Sequence, residues 1–135
     1  MICTEPELQP LLPQVMLVGD KTLRKQDEAA VKASLPDNVY LLRQQKGWTN
    51  AETQAEIVTL TKRALGAHLE RYQVIWLSDA CKAHMAAEVM DALAAAGFWH
   101  SIIPANLTWL LQPLDVTTFV LFKRFFEGGV HKNLV

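Results

Sequence analysis

Gln73-Val74-Ile75-Trp76-Leu77-Ser78-Asp79 is the stretch on which the reading of the fold turns. Val74 to Leu77 are consecutive apolar residues, so an extended chain here carries hydrophobic side chains on both faces. A strand of that kind suits the buried centre of a sheet covered by helices. The pattern predicts a strand over 73–78, with the acid Asp79 just past its end.

Downstream, Met85, Val89, Leu93 and Ala96 recur at helical spacing, and Gly97 supplies a C-terminal stop. This predicts a helix over 83–96. Residues 98–103 form the next strand, ended by Pro104. A loop over 104–114 leads to Asp115, which opens a last helix with Val116, Phe119, Phe122 and Phe126 on one stripe. Gly128-Gly129 ends it.

Upstream, Thr49-Asn50-Ala51-Glu52 fits a capping box, in which the Thr49 hydroxyl and the Glu52 side chain satisfy each other's backbone N–H groups. A helix follows to about residue 67, with Ile57, Leu60, Ala64 and Leu65 as its apolar stripe. Residues 39–42 read as a strand after the turn signal Pro36-Asp37-Asn38. A short helix fits 27–34 and must stop before Pro36. Residues 15–18 are an apolar run closed by Gly19-Asp20, a further strand. Pro6, Pro10 and Pro13 make residues 1–12 an extended lead-in with little structure of its own.

Strand and helix alternate through the later half, which predicts an α/β fold: a mixed or parallel sheet with helices packed on it. The 135 residues suit one domain, and half of them are hydrophobic and a fifth charged, an ordinary globular balance. A net charge of −1 excludes a strongly basic chain, so any contact with DNA must come from a local patch. Cys3 and Cys81 have neither a metal-ligand nor a framework spacing, which fits a reducing compartment. The first residues lack the basic and apolar regions of a secretory signal, and no apolar run approaches the ~20 residues of a membrane span, so neither secretion nor a membrane partner is expected.

Two acids stand where chemistry is commonly placed. Asp79 follows a central strand, and open α/β sheets collect ligands at the carboxyl ends of their strands. Asp115 begins a later helix. Either can serve simply as a helix cap or first-turn acid. Converging on a pair of hard cations, they would support phosphodiester chemistry, one ion activating water and the other stabilising the leaving oxygen.

The segment Ile103-Pro104-Ala105-Asn106-Leu107-Thr108-Trp109-Leu110-Leu111-Gln112-Pro113-Leu114-Asp115 resembles the hallmark of DDE superfamily endonucleases of the pogo/mariner transposase type: a strand, then P-x-N-x-T-x-x-L-Q-P-L-D, then a helix with aromatic and basic residues. Phe119, Phe122, Lys123 and Arg124 continue in that style. Leu77-Ser78-Asp79-Ala80-Cys81-Lys82-Ala83-His84 is similar to the family's L-L-D-N-x-x-x-H, and Asp115 lies 36 positions beyond Asp79, the family's interval between its second and third acids. Lys46-Gly47-Trp48-Thr49 is similar to the family's K-G-W-x-T/S.

The resemblance implies an incomplete RNase H-like (ribonuclease H-like) fold over residues 13–127, with 128–135 as a tail. It implies Asp79 as the second metal-binding acid and Asp115 as the third, holding Mg²⁺ or Mn²⁺. His84 stands in the place of the family's following histidine, while Asn106 and Gln112 shape the loop. Arg43, Lys46, Lys82, Lys123 and Arg124 are the candidate DNA contacts, and each is also readable as solvated surface charge. Trp99 and Trp109 are readable as stacking on bases, with core packing the expected use. Two departures matter. Ala80 replaces the family's asparagine beside the second acid. The family's first acid lies on a strand before the counterpart of 13–18, so the resemblance implies a truncated, inactive endonuclease with unpaired strand edges open to self-association. Asp20 is a poor substitute, since it matches a later family strand and its turn. The family's expected location is nuclear. The alternative is a transposase-derived DNA- or protein-binding module without catalysis.

Overall fold

The computed structural model describes residues 3–44 and 49–107. It is a mixed α/β fold built from βαβ units. β1 (Gln14–Val18) pairs in parallel with β2 (Val39–Arg43) across α1 (Glu28–Ser34). α2 (Ala51–Leu65) leads to β3 (Ile75–Asp79), which pairs in parallel with β4 (Trp99–Ile103) across α3 (Ala87–Ala96). Among the described residues the strands form two separate two-stranded parallel sheets, not the single sheet expected from the alternation. The last helix, expected from Asp115, lies outside the described residues.

Parallel pairing needs a crossover, which α1 supplies between β1 and β2 and α3 between β3 and β4. α2 starts at Asn50, whose Oδ1 accepts from the Thr53 backbone N–H at 2.8 Å. The cap is therefore one residue later than the box expected at Thr49, whose hydroxyl instead accepts from the Gln54 side chain at 2.8 Å. Gln44, at the end of β2, decides this: its amide reaches both Asn50 and Thr53. α3 ends at Gly97, where φ is +74° and the Phe98 N–H donates to Leu93 O at 3.0 Å. A left-handed residue costs glycine least, and this closure turns the chain directly into β4.

The core lies between α2 and α3. Val58, Leu65, Val89, Leu93 and Phe98 are buried there, and Trp76 of β3 stacks on Phe98 with ring centroids 6.3 Å apart. Val58, rather than the expected Ile57, is the fully buried residue at that level of α2. Lys62 ties the helices together by donating to Ala95 O near the C-terminal end of α3.

Residues 1–12 are not a loose lead-in. Their described part contains a 3₁₀ turn over Gln9–Leu11, and Leu8 and Leu12 are buried in the main core cluster. The expectation failed because proline content reports local conformation and says nothing about distant apolar partners.

β3 also departs from expectation. Trp76 and Ser78 face the helices, but Ile75 is 62% exposed and Leu77 49% exposed on the opposite face. Register places Trp99 beside Ile75, and it is exposed rather than packed in the core. Among the described residues, helices cover one side of this sheet only. No helix among these residues is long and apolar enough to cross a membrane.

Candidate functional site

Asp79 is the last residue of β3, at the carboxyl end of a parallel pair. Its Oδ1 accepts the Cys81 backbone N–H at 3.2 Å, so the chain turns sharply as it leaves the strand. A further turn, closed by His84 N–H to Cys81 O at 3.0 Å, brings His84 back over the acid. The His84 Nδ1 lies 2.7 Å from the same Asp79 Oδ1. A carboxylate only accepts, so Nδ1 carries the proton. These turns occupy 81–86 and explain why α3 begins at Ala87 instead of residue 83.

A second pair lies next to the first. Ser78 Oγ is 2.8 Å from His100 Nε2, tying β3 to β4 across the sheet. His100 Nδ1 faces Met90 Sδ at 3.2 Å. Burial holds the His100 imidazole below its ordinary value of 6.5, and the charge of His84 lowers it further. Sequence reasoning missed this pair because it is a diagonal cross-strand contact: the register sets His100 opposite Trp76, two positions from Ser78 on the same face, and neither strand alone carries that.

The depressed His100 value makes a pH prediction. The unfolded chain takes up a proton at higher pH than the folded one, so stability from neutral His100 is fully present above about 6.5 and is lost as pH falls below it. Melting temperature should therefore decline on acidification through that range. His100→Gln, which can keep a polar partner for Ser78, should flatten this part of the profile. An unchanged slope in the variant would show that His100 is not the group responsible.

Of the candidate DNA contacts, Arg43 is engaged inside the protein. Its guanidinium donates to Glu28 Oε2, Asp20 Oδ1 and Leu23 O, each at 2.9 Å. Lys32 first, and Arg43 after it, hold the Glu28 carboxyl below its usual range, and Glu28 raises Arg43. This fork fastens α1 and the segment after β1 to the end of β2. Asp20 thus sits in an ion pair at the other sheet. Lys82 is exposed in the turn between Asp79 and His84. Asn106 is exposed in the 3₁₀ turn over Ala105–Leu107, which starts just beyond β4. Because Asp79 and Ile103 are register partners, that turn starts beside Asp79. Gln112, Asp115, Lys46, Lys123 and Arg124 lie outside the described residues, as does Trp109.

A carboxylate oxygen is the right ligand for a hard cation, and no hydrogen bond among the described residues reaches Oδ2 of Asp79. No group of three or more His, Cys, Asp or Glu able to hold a metal is found among the described residues. Asp79 therefore fits as a single carboxylate ligand. Magnesium-type sites usually use only one or two such groups. Comparison with protein-family models, curated proteins and solved structures gave no match.

Proposed function

We propose that this chain carries part of an RNase H-like, DDE-type endonuclease domain that acts on DNA phosphodiesters with Mg²⁺ or Mn²⁺. The observation that carries the reading is the Asp79 carboxylate, oriented at the carboxyl end of a parallel strand by two hydrogen bonds to Oδ1, with none to Oδ2 among the described residues. The hallmark segment 103–115 supplies the family resemblance. Asp79 and Asp115 would hold the ion. A divalent ion there supplies Lewis-acid activation of water and stabilisation of the leaving oxygen. Asp79 binds; Ser78 and His100 fasten β3 to β4 beneath it; Lys82 offers a charge to a phosphate. The expected location remains nuclear, with DNA as partner.

A second reading is a transposase-derived module that binds DNA or protein without catalysis. The exposed apolar side chains Ile75, Leu77 and Trp99 favour it, as do the sheet edges left unpaired among the described residues, which suit self-association.

Thermal unfolding in Mn²⁺ separates the two. Under the first reading, metal at a hundredfold over its Kd stabilises by about 2–3 kcal/mol, and Asp79→Ala or Asp115→Ala abolishes the effect. Salt-sensitive DNA binding that survives both substitutions, with no metal effect in the parent, would support the second reading.

A further inference from the structure

We propose that His84 is a positioning residue that fixes the Asp79 carboxylate for a divalent cation, an inference that rests on the metal-dependent reading above. Asp79 Oδ1 takes both hydrogen bonds, one from His84 Nδ1 at 2.7 Å and one from the Cys81 N–H at 3.2 Å. Together they set the carboxylate plane and, among the described residues, place the bonding on Oδ1, leaving Oδ2 as the ligating oxygen. The backbone donor is long and belongs to an exposed turn, so the imidazole is the stronger constraint. His84 is itself held, with its ring 21% exposed and its backbone N–H bonded to Cys81 O at 3.0 Å. A partner of this type raises ligand affinity by removing the carboxylate's rotational freedom and polarising it.

The two ring nitrogens make the proposal specific. Nδ1 is attached at the same distance along the side chain as the asparagine amide, and Nε2 corresponds to the glutamine amide. Asparagine at this position can donate to Oδ1; glutamine places its donor farther out.

Mn²⁺ binding to the full 135-residue chain is to be measured by the electron paramagnetic resonance signal of the free ion. Thermal melts accompany each variant to establish folding. The parent chain should bind and Asp79→Ala should not. His84→Ala should weaken binding about tenfold, the low end of the range for loss of an outer-shell partner, with His84→Asn restoring it and His84→Gln failing to. Parent-like affinity in a folded His84→Ala, while Asp79→Ala loses binding, overturns the positioning role and leaves the metal reading standing. Restoration by glutamine and not asparagine also overturns it, because His84 would then act through Nε2. Binding unaffected by Asp79→Ala removes the metal reading and this proposal together. A metal-free check is the ¹⁵N spectrum of the His84 ring: the Nδ1–H tautomer is expected, and the Nε2–H tautomer refutes the geometry.

Discussion

Leu93→Ala should lower the stability of this chain by about 3–4 kcal/mol, the middle of the range for leucine truncation in a packed interior. Leu93 is 1% exposed, on the face of α3 that meets α2. Its neighbours in the cluster, Val58, Leu65, Val89 and Phe98, come from two helices and the residue just before β4. These elements cannot all move in to fill the space, so a cavity remains and the lost contacts are not regained. Leu93 O also accepts the Phe98 N–H that closes the helix, so relaxation here would strain the turn at Gly97. Chemical denaturation should show a lower midpoint with little change in slope, and a fall in melting temperature of roughly 10 °C. Asp91→Ala, on the exposed face of the same helix, is the control and should stay within about 0.5 kcal/mol. Equal effects from the two substitutions would mean that α3 does not pack on α2 through this face.

The sequence made some of this architecture legible for definite reasons. Gly97 announced the end of α3 because the chain there requires a left-handed residue, and the strand 73–78 announced itself by its unbroken apolar run. The βα alternation carried the parallel pairing, since a helix between strands brings the second back in the same direction. What remained hidden depends on partners far away in the chain. Thr49 and Asn50 are both competent caps, and Gln44 from the preceding strand settles the choice. The apolar run of β3 was read as buried on both faces, yet among the described residues only its Trp76 and Ser78 side meets helices.

The candidate site divides in the same way. Asp79 and His84 were visible as a short-range pattern, five positions apart, and a tight turn makes them partners. Ser78 and His100 were invisible, being diagonal neighbours across β3 and β4, with His100 opposite Trp76 and Ser78 opposite Ile102. Arg43 was read as a surface cation able to hold a phosphate. Its position at the end of β2, opposite Asp20 and Glu28, instead makes it a clamp. A nucleic-acid contact from Arg43 must compete with those ion pairs, whereas exposed Lys82 has no ion pair among the described residues.

The double substitution Leu8→Ala with Leu12→Ala tests the largest disagreement between sequence pattern and structure. Residues 1–12 carry two of the chain's prolines, and local rules make them an extended approach to the first strand. In the fold, Leu8 is 6% exposed and Leu12 4% exposed, both within the cluster formed by α2 and α3. The 3₁₀ turn between them, closed by Leu11 N–H to Leu8 O at 3.0 Å and Leu12 N–H to Gln9 O at 3.3 Å, presents both on the buried side. Asn38 reaches back to Pro10 O at 3.2 Å, which fixes the segment to the turn before β2 as well. Each truncation should cost about 2–4 kcal/mol, and the pair approaches the whole stability of a small domain, about 5–15 kcal/mol. The expected result is a broad, early or absent thermal transition, with the fluorescence of Trp76 shifted to the red as its side of the core opens. If the segment were a mere lead-in, the double variant would melt with the parent. The distinction also reaches the site: loosening this cluster frees Trp76, and with it the strand that holds Asp79. Residues with no chemistry of their own therefore govern whether the acid at the end of β3 keeps its place beside His84.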